Sequence, residues 1–307
     1  MASTCNLRAD VTSIIWLDET GCQDVSHVGG KVANLSRLAA DYRVPTGFCL
    51  TTDAFKQWHE DGRSIQMPPA LWRQLSAAYA EMARRSGTEQ PSVAVRSSAI
   101  DEDGRFASFA GQYETYLNLV GEEEVAAAVL RCWHSTGAER VTGYRERYGL
   151  ALDNIEMAVL VQHLVPADSS AVIFSANPVT RDRGQVVINA SWGLGESIVG
   201  GTVTPDTYVV NKQDLSVTES RVADKERMTV IVAGGTKEVP VPRFMRLQPT
   251  LSVEQLQAMA RLAIALEEQV GWPVDLESAY SDNELYLLQC RSVTTLIDTE
   301  EGDKEHG

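Results

Sequence analysis

The sequence predicts an α+β fold with mixed sheets. Three observations carry this expectation. Helical-period apolar residues and short strand-like runs mix freely through the first half. From Met157 to Val210 the period changes, and β-rich runs alternate with turn residues. Near the end, one well-capped helix is followed directly by two strands. No strand–helix–strand period repeats, so a regular parallel sheet is not expected.

Taken in order, Ile14 to Trp16 reads as a short strand. Gly29-Gly30 then punctuates the chain before a helix with Val32, Leu35 and Leu38 on one side. "VPTGFCLTTDAFKQW" predicts a strand and then a helix opened by Thr52 or Asp53. Leu71 to Arg85 is an amphipathic helix stopped by Gly87, and Val93 to Val95 is a strand. Glu122 to Arg147 reads as one long helix, with Gly137 and Gly143 as candidate interruptions. Met157–Val165, Ala171–Phe174, Val186–Ala190 and Thr207–Val210 are strands. Ser252 and Gln255 form a capping box. Leu256, Met259, Ala263, Leu266 and Val270 make the helix's apolar stripe, and Gly271 ends it. Val274–Tyr280 and Leu285–Val293 close the set as a hairpin. The change of texture at "ASWGLGESIVGGTVTPD" suggests two lobes, 1–195 and 196–297. The polar stretch 298–307, "DTEEGDKEHG", is expected to be a disordered tail.

A net charge of −15 argues against general nucleic-acid or anionic-membrane binding, which depends on basic patches. It leaves room for a local cationic pocket. No window approaches the apolar length of a membrane span. The first residues lack the pattern of a signal peptide. The five cysteines are scattered, with no CxxC and no Cys/His cluster. They read as free thiols in a reducing compartment, so a cytoplasmic location is expected.

The hairpin is the most informative geometry. With Asn283 at the centre of the turn, Glu277 sits opposite Gln289 and Asp275 opposite Arg291. These four then project from one face, and Leu276, Tyr286 and Leu288 from the other. A carboxylate, a carboxamide and a guanidinium on one patch suit a divalent cation and phosphate oxygens. Taken alone, a solvated face with a cross-strand Asp275–Arg291 pair is the commoner outcome. Gly29-Gly30-Lys31 can bring backbone and a compact charge to a phosphate, or be a plain glycine turn with an exposed lysine. It lacks the spacing of a Walker loop, and "SWGLGESIVGG" is not G-x-G-x-x-G. Arg96, at the expected strand end in "VAVRSSA", is well placed to line a cleft. Gln162 lies in an apolar strand and needs a polar partner.

Together these stretches resemble the nucleotide-binding domain of the pyruvate phosphate dikinase and phosphoenolpyruvate synthase family, and look most like the ATP-binding domain of rifampicin phosphotransferases. The likeness runs from "VGGKVANLSRL" through "VPTGFCLTTDAF", "VAVRSSAIDEDGRFASFAGQYETYLN", "SANPVT" and "SWGLGESIVGG" to "LQCRSVTTL". It implies an ATP-grasp-like fold whose two lobes clamp ATP and Mg²⁺. It also implies roles for single residues. Lys31 and Arg96 would bind ATP phosphates, and Gly111 and Thr115 would sit in a loop over them. Gln162 would lie near the adenine end. Glu277 and Gln289 would bind metal and nucleotide, and Arg291 would contact the transferring phosphate. Lys31, Arg96 and Arg291 would be the catalytic cations, because phosphoryl transfer needs positioning and charge neutralisation above all.

Two departures stand out. The family commonly has Gln-Ser-Arg-Pro where this chain has Gln289-Cys290-Arg291-Ser292, and an aromatic where it has Ser278. Family members also carry a phosphorylatable histidine on a swivelling domain. None of the histidines here (His27, His59, His134, His163, His306) sits in a Thr-Ser-His-Ala setting. The expected function is an ATP- and Mg²⁺-dependent phosphotransferase component. It would pass a phosphoryl or pyrophosphoryl group to a phosphohistidine on a partner protein or further domain, and thence to a small molecule. The alternatives are a stand-alone ATP-grasp kinase or ligase, and a non-catalytic nucleotide-binding subunit.

Overall fold

The computed structural model describes residues 13–100, 103–104, 107–108, 115–137 and 156–293. The chain divides into two compact units. The first comprises Met1–Arg37, Thr46–Glu102 and Phe109–His163, and the second Leu38–Pro45, Asp103–Ser108 and Leu164–Gly307.

The first unit is built on an antiparallel sheet of β1 (Ile14–Trp16), β2 (Gly47–Leu50), β3 (Val93–Ala99), β6 (Thr115–Leu119) and β7 (Met157–His163). Their order is β1-β2-β7-β3-β6. Helices α1 (Val25–Leu38), α2 (Thr52–Glu60), α3 (Pro69–Ser86) and α4 (Glu122–His134) accompany it. The N-cap of α2 is Thr51, one residue before the expected opener, and its hydroxyl accepts the Ala54 N–H at 3.4 Å. Pro68 and Pro69 start α3, and Gly87 ends it at φ 69°. Helix α4 stops well short of the expected Arg147. A tight turn, Ser135–Gly137, follows it, where Ser135 and Thr136 donate their hydroxyls to the carbonyls of Cys132 and Trp133. Hydroxyls that bond backward in this way compete with continued helix. The rest of that stretch lies outside the described residues. One face of the sheet (Phe48, Val93, Val95, Val159, Val161) packs on Trp58, Leu75, Met82, Val129 and Trp133. Each such fully buried side chain contributes about 1.5–3 kcal/mol.

The second unit is built on an antiparallel sheet of β8 (Ser169–Phe174), β9 (Gln185–Trp192), β10 (Asp206–Asn211), β11 (Val217–Arg221), β14 (Val274–Ser281) and β15 (Glu284–Ser292). Their order is β11-β10-β9-β8-β14-β15. Two small pairs, β4 (Asp103–Gly104) with β5 (Ala107–Ser108) and β12 (Arg227–Val232) with β13 (Gly235–Pro240), also belong to it. A single helical turn, α5 (Glu196–Val199), and the long α6 (Val253–Val270) complete the unit. The Ser252–Gln255 capping box forms as expected, and Gly271 caps the far end at φ 82°. Helix α6 packs on β8, β9, β10 and β14. The segment Leu38–Pro45 lies along the edge strand β15. The Arg43 carbonyl accepts the Leu287 N–H at 3.0 Å, and the Arg43 guanidinium reaches Glu284 at 2.8 Å.

The expected lobe boundary at 195/196 falls inside this second unit. The glycine-rich stretch there links β9 to its hydrogen-bonded neighbour β10, so the change of texture marks a connection within one sheet. The break in the chain's contacts comes between His163 and Leu164.

Asp206, at the start of β10, is the polar centre of the second unit. Its Oδ1 accepts from the Lys225 ammonium at 2.6 Å and the Ala223 N–H at 2.8 Å. Its Oδ2 accepts from the Tyr208 hydroxyl at 3.0 Å, the Thr250 N–H at 2.8 Å and the Thr250 hydroxyl at 2.7 Å. Both charged side chains are fully buried. Burial first, and then the Asp206 carboxylate, raise the Tyr208 phenol above its usual range. The pair ties the stretches around 223 and 250 to the sheet.

Candidate functional site

Each unit carries part of the expected residue set. In the first unit, Arg96 sits in the middle of β3 and not at its end, because the strand continues through Ala99. It is flanked by Leu160 of β7 on one side and Thr115 of β6 on the other. Gln162 pairs with Ala94, two residues back along β3, so the alternation of side chains puts Arg96, Gln162 and Thr115 on one face. The opposite face is the apolar core described above. Gln162 is buried, Arg96 is partly buried and Thr115 is exposed.

The Gly29-Gly30-Lys31 turn is fitted to the same strand. Gly29 interrupts α1 with φ 74° and ψ 167°. A Cβ at this position would overlap the Ser98 carbonyl oxygen and hydroxyl, and the positive φ itself disfavours any other residue. The Ser98 hydroxyl accepts the Val32 N–H at 3.4 Å. So the "GGK" and "VRSS" motifs, far apart in sequence, meet through a glycine chosen for closeness. Ser98 thus holds the turn that carries Lys31. Gly111 lies outside the described residues.

In the second unit the hairpin has the expected pairs: Asp275 with Arg291, and Glu277 with Gln289. They arise by a route the sequence hides. Asp282 and Asn283 form a two-residue turn with φ 49° and 62°, the left-handed pair that suits a tight hairpin. An uninterrupted hairpin from that turn would set Glu277 against Leu288. A bulge beside Glu277 makes Leu288 the extra residue and restores the Glu277–Gln289 pair. The apolar face therefore differs from expectation. Tyr286 pairs with Ala279 and lies on the Glu277 side, while Leu287 is the buried residue. The Arg43 guanidinium stacks on the Tyr286 ring, 5.5 Å from its centroid.

Asp275 holds Arg291 through one oxygen, which accepts from Nε at 2.8 Å and from Nη2 at 2.7 Å. Its other oxygen is buried without a hydrogen-bond partner. Burial pushes the Asp275 carboxyl above its ordinary range, against the pull of the Arg291 guanidinium. Among the described residues no group of three His, Cys, Asp or Glu side chains is set to hold a metal by itself. Glu277 and Gln289 offer two hard oxygen donors side by side. That set fits Mg²⁺, which commonly takes one or two protein ligands and completes its shell with water and substrate phosphates.

The glycine stretch after β9 is a structural joint. The Gly193 N–H donates to the Asp168 carbonyl, and the Leu194 N–H to the Thr229 carbonyl, both at 2.9 Å. A Cβ at Gly193 would overlap that Thr229 oxygen. Gly193 serves the close approach of β12.

This constellation has a matching family model. Residues 62–306 match the pyruvate phosphate dikinase AMP/ATP-binding domain. The chain belongs to that family. The matched segment of this AMP/ATP-binding domain contains Arg96, Thr115, Gln162, Glu277, Gln289 and Arg291, and Lys31 precedes it. Longer curated relatives extend the likeness over nearly the whole chain. A probable phosphoenolpyruvate synthase of Pyrococcus abyssi is 34% identical over 93% of this chain and 44% of its own length. A rifampicin phosphotransferase of Streptomyces sp is 34% identical over 95% of this chain and 37% of its own. An uncharacterized phosphotransferase of Bacillus subtilis, YvkC, is 38% identical over 87% of this chain and 33% of its own. The chain thus spans less than half the length of these relatives. Among the described residues no helix is long and apolar enough to cross a membrane.

Proposed function

We propose that this chain is the ATP-cleaving module of a phosphotransferase. The observation that carries the reading is the bulged hairpin, which sets a carboxylate, a carboxamide and an aspartate-held guanidinium on one sheet face inside an AMP/ATP-binding domain. Glu277 and Gln289 would hold Mg²⁺, which when bound draws charge from the phosphate oxygens. Arg291, fixed by Asp275, neutralises the phosphate being transferred. Lys31 and Arg96 bind the remaining phosphates, Thr115 flanks them and Gln162 meets the adenine end. The group leaving ATP then passes to a histidine on a partner protein or a further domain, and from there to a small acceptor. The relatives named as phosphotransferases and synthases, each more than twice the length of the aligned region, support that division of labour. A cytoplasmic location accords with Cys22, Cys49, Cys132 and Cys290, which are buried and outside any disulfide.

Nucleotide products decide the reading. AMP is expected only when a phosphohistidine-domain protein from a relative is added. ADP without any partner would point to direct transfer to a small acceptor, and no turnover in any combination despite tight ATP binding would remove the catalytic role. Glu277→Gln should raise the Mg²⁺ needed for half-maximal ATP binding by about one power of ten, about 1.4 kcal/mol. Magnesium titrations of ATP binding check this, and an unchanged midpoint would take Glu277 out of the metal site.

A further inference from the structure

The row that holds Gln289 and Glu277 continues across the sheet. Glu277 pairs with Val172 on β8, Val172 with Asn189 on β9, and Asn189 with Thr207 on β10. Directly paired residues share a face, so Asn189 and Thr207 stand on the Glu277 side, about 10 and 14 Å from it at the usual strand spacing. The reverse face is closed: Leu276, Ile173 and Ile188 are 0% exposed. The Glu277 face is open, with Val172, Asn189 and Thr207 only partly buried.

Asparagine is a poor strand residue, and here it sits between the buried Ile188 and Ala190. Its Oδ1 accepts the Thr207 hydroxyl at 3.0 Å. That bond fixes the carboxamide and commits its acceptor end, which leaves the amide N–H groups to donate. A fixed donor suits an anion and not a metal ion. Val172, between Glu277 and Asn189, adds no polar group to compete for it. We propose that Asn189, oriented by Thr207, is a further ligand of the nucleotide, donating to a polyphosphate oxygen beyond the Glu277–Gln289 pair. The inference rests on the nucleotide reading above. A triphosphate extends along such a row and a monophosphate does not, so Asn189 distinguishes ATP from AMP.

The test uses the full chain and calorimetric affinities for ATP with Mg²⁺ and for AMP. Asn189→Ala should weaken ATP about ten- to a hundredfold, the range for one hydrogen bond to a charged group, and change AMP by less than about twofold. Asn189→Asp keeps the shape and adds repulsion, so it should weaken ATP further. Thr207→Val should give a smaller loss in the same direction, because the carboxamide is then free to turn. Thermal unfolding identifies any variant that fails to fold, and the near-isosteric Asn189→Asp then carries the test. ATP affinity within about twofold of the parent in both Asn189 variants, or equal losses for ATP and AMP, overturns the inference alone. A parent chain that does not bind ATP with Mg²⁺ overturns the nucleotide reading and this inference together.

Discussion

Arg96→Ala is expected to weaken ATP binding by roughly two powers of ten, about 2.8 kcal/mol at 1.4 kcal/mol per factor of ten. The size follows from its placement. Arg96 stands mid-strand with β7 and β6 hydrogen-bonded on either side, so its backbone is fixed before any ligand arrives. Two residues on, Ser98 holds the turn that carries Lys31. Binding then has only the side chain to order, and a charge-assisted contact from the guanidinium to a phosphate is among the stronger hydrogen bonds. Arg96→Lys should recover only part of the loss, since an ammonium keeps the charge and lacks the two-pronged donor geometry. Calorimetric titration with ATP measures both. An affinity for Arg96→Ala within about threefold of the parent would mean that this face does not meet the phosphates.

Asp206→Ala is expected to lower the stability of the chain by about 3–5 kcal/mol, because it leaves the Lys225 ammonium buried without its counter-charge. It also strands the Tyr208 and Thr250 hydroxyls and two backbone N–H groups. Lys225→Met should cost less. The Asp206 carboxylate would keep four donors, and the thioether fills much of the volume of the lysine stem. Urea unfolding of the two variants gives the order. A larger loss for Lys225→Met than for Asp206→Ala would show that the ammonium, and not the carboxylate, organises this core.

Much of the candidate site was legible because it rests on local rules. A two-residue turn, strand alternation and cross-strand pairing were enough to place Asp275, Glu277, Gln289 and Arg291 together. The pairing came out correctly although the turn centre lies half a residue from the expected position, since the bulge at Leu288 cancels that offset beyond Glu277. Nearer the turn nothing cancels it, and Tyr286 falls on the other face. A bulge depends on how the strand packs against its neighbours, which local periodicity does not contain.

Long-range closures were not legible. Gly29 against Ser98 and Asp206 with Lys225 join residues that no periodic pattern links. Arg96 was expected at a strand end because the apolar run Val93–Val95 stops there and the polar Ser97-Ser98 follow. They are strand residues because β7 pairs with them through Ala99. Asn189 did leave a signal of its own. A carboxamide inside "VVINAS" raises the same question as Gln162 inside "AVLVQH". The difference is that the more continuous apolar run around Gln162 made its carboxamide stand out.

The strap of Leu38–Pro45 along β15 bears on how the chain can be divided. The visible break after His163 invites a fragment that begins at Leu164. Such a piece would contain all six strands of its sheet and still lack the peptide that occupies the outer edge of β15. The Leu287 N–H and the Tyr286 ring would lose their Arg43 partners. What remains is a bare strand edge with apolar side chains, the usual seed of edge-to-edge self-association. The second unit is therefore discontinuous by necessity, and a soluble excised version would need residues 38–45 grafted back onto that edge.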